Sequence, residues 1–528
     1  MAAATAVGPV RAASLPPGVH WIGVRPAAAG GTELFDQRTG STFVPRGVSL
    51  LKDEVQASGP YPILDDLVAP GRYNDKWVRD HFRQLARLGY NTVRVWLDHC
   101  PGDCLTNADG SAKPAWLDNV AALLTAARDT GLAVMLVSNE LPEVGYADQL
   151  PYGGTFDGGF NATILSPQGV NLTLSYWRMV IGGLQARGAP LEAVLGYELL
   201  NETFFELDRN PLALTSGSVT TANGVTYDMS DQASRDAMVD EGLVYWANQA
   251  ASTIRALDPG ALVTLGFFAP TPGTRLVRSA YLAQHGDVDF LDVHHYPGMG
   301  TYLADDLTGL GLDEYDVKPV ILGEFGGFRL AYPDAAAAAN GLAGLQAESC
   351  LRGLDGWLTW VMGSLDTSII PVEEDGNRIL KALSPASRSD PCSTSGVKPN
   401  LAQSWPVSAS AALPGSEASL ANDGLAETAW SSGSGPTQWI QINFVGGPVT
   451  LGELRLLTSQ YPAGPTVHVV QVQTTAGTWA TVATLSGPTS GDQWLRWFPK
   501  KPLKGVAALR ITTTSSPSWV GWREIQAY

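Results

Sequence analysis

The chain is 528 residues long, more than a single hydrophobic core usually organises, so at least two domains are expected. With 45% hydrophobic residues, 16% charged residues and 57 glycines, the composition is that of a loop-rich globular protein and not of a disordered one. The 34 basic and 51 acidic side chains leave a formal charge of −17, which argues against a nucleic-acid partner, because phosphate recognition works by counterion release to a basic surface. Neutral glycans carry no such penalty. No run reaches the roughly 18 apolar residues of a membrane helix, so no membrane span is expected.

In chain order, Leu34 to Phe43, with Asp36 and Thr39-Gly40, reads as a hairpin able to plug the floor of a barrel. Strands are then predicted at Thr42 to Leu50, Asn91 to Leu97, Leu132 to Ser138, Val194 to Leu200, Ala261 to Phe267, Phe290 to His295, Pro319 to Gly323 and Gly356 to Val361. Helical periodicity lies between them. Trp77, Val78, Phe82, Leu85 and Leu88 recur at helical spacing in Asn74 to Leu88, with Asn74 as N-cap and Gly89 as stop. Ala115 to Thr130, Leu174 to Arg187, Asp231 to Leu257 and Asp334 to Gly353 read likewise. Eight strands alternating with helices close most naturally into an α/β (β/α)8 TIM barrel, assigned to residues 1–383.

Residues 384–399 are rich in Ser, Pro and Gly without apolar periodicity and read as a linker. Residues 400–528 change texture. Short alternating runs at Trp439 to Phe444, Leu451 to Leu457, Val467 to Gln473 and Ala508 to Thr514 predict an all-β jelly-roll sandwich.

Cys100 and Cys104 enclose a short loop, and Cys350 and Cys392 flank the last barrel strand and its tail, so two disulfides are expected, as in an oxidising compartment. Zinc is disfavoured because no second Cys pair or close His pair has ligand spacing. Met1 precedes Ala2-Ala3-Ala4 without the charged start and apolar core of a signal peptide, so the expectation is a secreted protein whose signal is missing from this sequence.

Two glutamates stand at strand ends: Asn201-Glu202 after Val194 to Leu200, and Glu324 after Val320 to Gly323. In a parallel barrel the carboxyl ends of the strands share one mouth. Two carboxylates meeting there suit glycoside hydrolysis, in which one protonates the leaving oxygen and the other attacks or activates water. The bland alternative for either glutamate alone is a strand-end salt bridge. The segments Pro142 to Val170 and Thr203 to Asp228 read as long loops without periodicity, the kind that wall a cleft.

The first ~380 residues resemble clan A glycoside hydrolases, most closely the cellulase-like glycoside hydrolase family 5. The motifs that carry the likeness are Phe43-Val44-Pro45-Arg46-Gly47-Val48-Ser49, Val93-Arg94-Val95-Trp96, Gly196-Tyr197-Glu198-Leu199-Leu200-Asn201-Glu202, His294-His295-Tyr296, Gly323-Glu324-Phe325-Gly326 and Trp357-Leu358-Thr359-Trp360. The resemblance implies a retaining β-glycosidase with Glu202 as acid/base, kept protonated by its neighbours, Glu324 as nucleophile, and no catalytic cofactor. It further implies that Arg94 and Tyr296 hold Glu324, that Asn201 binds the sugar 2-hydroxyl, that His294 tunes Glu202 and that Trp360 floors the subsite. Trp96 is read either as a wall or as core, and His295 as a core or supporting histidine. Asn139-Glu140 departs from the family, which commonly has a histidine there, so the contacts to the attacked sugar and its identity stay open.

The C-terminal region resembles the discoidin or coagulation-factor C-type fold used by family 32 carbohydrate-binding modules, through Asn422-Asp423-Gly424, Thr428-Ala429-Trp430 and the ending Trp522-Arg523-Glu524-Ile525-Gln526-Ala527-Tyr528. That likeness implies a structural calcium held by Asp423, Thr428 and Glu524, against the plainer reading of a turn beside a surface acid. Trp439, Trp494, Trp497 and Trp519 are candidates for stacking on sugars, with core packing the default for each. The partner expected is a β-linked glycoside or glycan. Long loops favour a pocket acting on small glycosides or chain ends, and the alternatives are an endo-acting β-mannanase or β-glucanase, a transglycosylase, or a silent glycan-binding protein.

Overall fold

The structure is a computed structural model that describes residues 15–16, 18–27, 30–51, 67–98, 104–269, 273–297, 302–312, 315–386, 392, 400–403 and 405–528. Its centre is a parallel sheet whose strands are Arg46–Leu50, Thr92–Trp96, Ala133–Val137, Val194–Glu198, Val263–Thr264 with Gly266–Phe268, Leu291–His294, Val320–Phe328 and Trp357–Met362. Each pairs with its neighbour in sequence, and the first pairs with the last through Arg46 and Trp357. The fifth strand is broken at Leu265: Val263–Thr264 pairs with the fourth, and Gly266–Phe268 with the sixth. A turn of the chain there brings the two halves to opposite neighbours and closes the eight-fold (β/α)8 barrel. The strands are aliphatic and buried along their length, as sheets covered on both faces require.

Helices follow the expected cover. Asn74 accepts from the Trp77 amide and caps Asp75–Arg87, Gly131 closes Pro114–Thr130 in the left-handed region at φ 78, and Asp231 caps Gln232–Leu257 through the Ser234 amide. Each such N-cap contributes about 1 kcal/mol. The helix predicted from Leu174 begins earlier, at Pro167, because Ser166 caps it and the proline occupies the first turn. The supposed loop Pro142 to Val170 therefore holds a 3-10 turn, Ala147–Gln149, and a helix, Gly159–Leu165. Thr203 to Asp228 is likewise structured: Phe205–Glu206 pairs with Arg275–Leu276, and Ser218–Thr220 pairs with Thr226–Asp228.

The expected hairpin is one edge of a three-stranded sheet, Ile22–Pro26, Thr32–Asp36 and Ser41–Thr42. Ile22, Leu34 and Phe43 pack with Ala133, Leu195 and Phe290 from the barrel's interior. The barrel floor is thus sealed by apolar side chains.

The chain forms two compact units: residues 1–295, 306–324 and 353–366, and residues 296–305, 325–352 and 367–528. In the second unit, a six-stranded and a four-stranded antiparallel sheet enclose Trp430, Ile440, Leu456, Val470, Ile511 and Trp522, forming an antiparallel β-sandwich at the C-terminus. Within the same unit, helix Ala335–Leu351 packs on strand Trp494–Trp497. A Cβ added to Gly344 would lie 2.0 Å from the Trp494 side chain, so this glycine sets the close approach. Trp494 is buried there with Ala426 and Leu457, which removes it as a stacking platform. Trp497 packs on the sandwich core, the face of Trp439 is covered by Arg510 at 4.9 Å, and Trp519 is the one of the four that is exposed.

Cys350 and Cys392 form the expected disulfide. Cys104 is also disulfide-bonded, while Cys100 lies outside the described residues, as does most of the predicted linker. Among the described residues, no helix is long and apolar enough to cross a membrane.

Candidate active site

Arg94, on the second barrel strand, is fully buried and organises the polar end of the barrel. Its Nε and Nη2 donate to both oxygens of Glu198, at 2.8 and 2.7 Å, its Nη1 donates to Glu324, and Nη2 also donates to Oδ1 of Asn201 at 2.6 Å. Burial opposes the guanidinium charge, but Glu198 and then Glu324 more than offset it, and its pKa is raised. With its oxygen held by Arg94, the Asn201 amide has its nitrogen left to donate elsewhere.

Glu202 and Glu324 are brought together. An oxygen of each, and a ring nitrogen of His294, lie within 4.8 Å of one another. His294 Nδ1 is 3.0 Å from Oε1 of Glu202 and 3.5 Å from Oε2 of Glu324. Burial pushes Glu202 up, yet the hydrogen bond and charge of His294 overcome it, and its pKa lies below the ordinary carboxylate value. This corrects the expectation that its neighbours keep Glu202 protonated: in the free site they favour the carboxylate. His294 is the counterpart, with burial opposed by Glu324, Asp292 and Glu202, so that its pKa is raised well above that of an ordinary histidine.

The adjacent histidine faces away. His295 Nδ1 lies 2.6 Å from buried Asp306. Trp96 is a correction to the wall reading: it is 1% exposed, with Arg94 over its ring at 4.4 Å and Trp360 edge-on at 5.2 Å. It packs the base of the site with almost none of its surface open to a ligand. Trp360 is 9% exposed, Asn139 is half-buried just beyond the third strand, and Tyr296 is buried edge-on against Phe328.

Sequence reading missed a lower tier of charge. Glu198 and Asp292 are both fully buried, with Asp292 3.5 Å from Arg94 Nε and 3.8 Å from His294 Nε2. Neither Asp292 oxygen comes within hydrogen-bond geometry of a protein donor, so its charge is met by the Arg94 and His294 ion pairs. Two strand glycines make the room. A Cβ on Gly323 would lie 1.7 Å from Asp292 Oδ1, and one on Gly266 2.5 Å from Glu198 Oε1. Burial pushes Glu198 up to about 8 despite Arg94. The available signal was a single acid inside each apolar run, Gly196-Tyr197-Glu198 and Leu291-Asp292-Val293. Arg94 and His294 face this cluster with positive charge.

The mouth is walled by the segments beyond the third, fourth and fifth strands. Arg275 lies over Phe204 at 4.1 Å, and Phe204 meets Phe160 at 4.5 Å. A cavity of about 230 Å³ beside them is lined by Glu140, Leu141, Tyr152, Phe160 and Leu200. Arg275 also lowers the pKa of Glu202, as the smallest of the causes acting on it.

In the C-terminal sandwich the three implied metal ligands come together. Thr428 Oγ1 donates to Asp423 Oδ2 at 2.8 Å and contacts the Leu420 and Leu425 carbonyls at 3.3 and 3.0 Å. Glu524 accepts from the Gly424 amide at 3.3 Å, and burial, with Asp423 adding to it, pushes it up to about 9. A buried acid next to a second acid and carbonyl oxygens is a donor set that suits a hard cation.

Solved structures similar to this chain fall in two groups. A chitosan-binding module from a chitosanase/glucanase of Paenibacillus sp. IK-5 is 29% identical, with 24% of this chain and 97% of that chain covered and a TM-score of 0.21. The β-mannanase of the blue mussel Mytilus edulis is 16% identical over 71% of this chain and 98% of that chain, TM-score 0.43, and the endo-1,4-β-mannanase of Rhizomucor miehei 15% identical over 69% and 99%, TM-score 0.46. No curated protein matches the chain significantly. Residues 405–525 match the family model described as F5/8 type C domain, and the C-terminal sandwich is therefore a domain of that type.

Proposed function

We propose that this protein is a retaining β-glycosidase, and the observation that carries the reading is the approach of Glu202 and Glu324 to within 4.8 Å at the polar end of the barrel. Retaining glycosidases hold their carboxyls ~5 to 5.5 Å apart, whereas inverting ones need ~6.5 to 9.5 Å to admit a water. The two acids have unlike surroundings, which is the arrangement acid and nucleophile require. Glu324, gripped by Arg94, attacks the anomeric carbon. Glu202, with 29% of its side chain exposed, protonates the leaving oxygen, then takes a proton from the water that releases the sugar. Asn201 donates to the 2-hydroxyl, and Trp360 floors the subsite. As substrate displaces water from Glu202, the burial that already raises its pKa grows, and the proton it shares with His294 passes to the carboxylate.

The ordered walls around Phe160, Phe204 and Arg275 favour a pocket that takes small glycosides or chain ends. Hydrolysis of a panel of aryl β-glycosides, diglycosides, mannans and glucans tests this. Release from small glycosides supports the pocket, and cleavage of polymers alone points to an endo-acting enzyme. Sugar transfer outpacing hydrolysis at high acceptor concentration marks a transglycosylase. Glu202→Gln is expected to lower kcat by about 10²- to 10⁴-fold, the usual contribution of general acid catalysis. Its loss should be smallest on substrates with activated leaving groups, which need little protonation. Silence of the whole panel would leave a glycan-binding protein instead.

The F5/8 type C domain serves as a glycan-binding appendage, and the disulfide fits an extracellular protein. A calcium ion held by Asp423, Thr428 and Glu524 stabilises it. Chelator is expected to lower the thermal unfolding midpoint of the full chain, with calcium restoring it. Equal midpoints with and without chelator would remove the ion.

A further inference from the structure

The lower tier of charge has a consequence for how the acid works. Asp292 sits on the sixth strand two residues before His294, on the same strand face, in the space that Gly323 leaves free. Its two carboxylate oxygens and His294 Nε2 are buried without hydrogen bonds, and they face one another at 3.8 Å. We propose that Asp292 is a positioning residue which keeps a proton on Nε2 of His294, so that Nδ1 is the nitrogen that exchanges a proton with Glu202. The inference rests on the glycosidase reading above.

The other groups facing this pair are fixed. Arg94, from the second strand, is committed to Glu198, Glu324 and Asn201, and lies 3.5 Å from Asp292. Glu198 faces it from the fourth strand, Glu202 and Glu324 share His294 Nδ1 at 3.0 and 3.5 Å, and Arg275 acts on Glu202 from the mouth. Arg94 gives its hydrogen bonds to Glu198, Glu324 and Asn201, so it meets Asp292 only as a charge at 3.5 Å, and His294 Nε2 at 3.8 Å is the other donor facing that carboxylate. Before substrate binds, the proton is on Nδ1 and Glu202 is a carboxylate. As water leaves Glu202, that proton crosses to Oε1, and His294 becomes a neutral ring still protonated on Nε2 against Asp292. Glu202 gives the proton to the leaving oxygen as Glu324 bonds to the anomeric carbon and the glycosidic C–O bond breaks. In the second step water gives a proton to Glu202 as its oxygen bonds to the anomeric carbon and the bond to Glu324 breaks. Without the buried negative charge, the His294–Glu202 pair binds its shared proton less tightly.

Two measurements decide it. In Asp292→Asn, the alkaline limb of the kcat/KM against pH profile, which reports loss of the acid's proton, is expected to move to lower pH by about one unit or more. A uniform loss of rate with the limb in place would overturn the assignment. Because that variant could fold poorly, 15N NMR of the histidines in the wild-type chain, with the His294 signals found by difference against His294→Gln, provides the second. Read at the alkaline pH where His294 has given up one proton, a ring that keeps its proton on Nε2 supports the proposal, and one that keeps it on Nδ1 overturns it. If instead no glycoside is turned over, or Glu202→Gln matches the wild type, the glycosidase reading fails, and the tautomer alone decides the part about Asp292.

Discussion

Glu324→Ala is expected to lower turnover by about 10⁴-fold or more, since a nucleophile acts as one unit with the acid and its loss removes the covalent route. The structure makes the reason specific. Glu324 is buried and held by Arg94, so the alanine leaves a small void at the anomeric face with the guanidinium still in place. Azide entering that void should restore part of the rate and yield a glycosyl azide of inverted configuration, because one displacement replaces two. Product analysis by NMR checks the configuration. Turnover in Glu324→Ala equal to that of the wild type would sink the nucleophile assignment, and an azide product of retained configuration would sink the geometry.

The second large effect is on stability. Arg94→Met keeps much of the side-chain volume but strips the cation from Glu198, Glu324 and the neighbouring Asp292, all of them buried. Breaking a buried pair by removing one partner typically costs about 3–5 kcal/mol, so the urea midpoint should fall by a large margin, and activity with it. The double variant Arg94→Met with Glu198→Gln should recover part of the loss, because the buried acid that loses two hydrogen bonds from Arg94 is then an amide that needs no cation beside it. If the double variant is as unstable as the sum of its parts, the pair is not the source of the cost.

The sequence by itself determined the frame on which these residues stand. Period and length separated the strands from the helices, the Asn74 cap stood where a side chain satisfies the first amides, and the eight-fold alternation left the barrel as the natural closure. Glu202 and Glu324 were legible because strand ends in a parallel barrel converge whatever the rest of the chain does. These are local rules, carried by neighbours in sequence. What the tertiary structure alone decided is where charge is buried and which aromatic ring sees solvent. Glu198 is tolerable in an apolar strand only because Arg94, 104 residues away, meets both its oxygens, and Asp292 only because Gly323, on the next strand, has no side chain. Trp96 is shut in by Arg94 and Trp360, and Trp494 by a helix whose Gly344 admits it. Desolvation and packing depend on partners distant in sequence, so the acids that set the protonation of His294 and Glu202 emerge only when the strands are side by side.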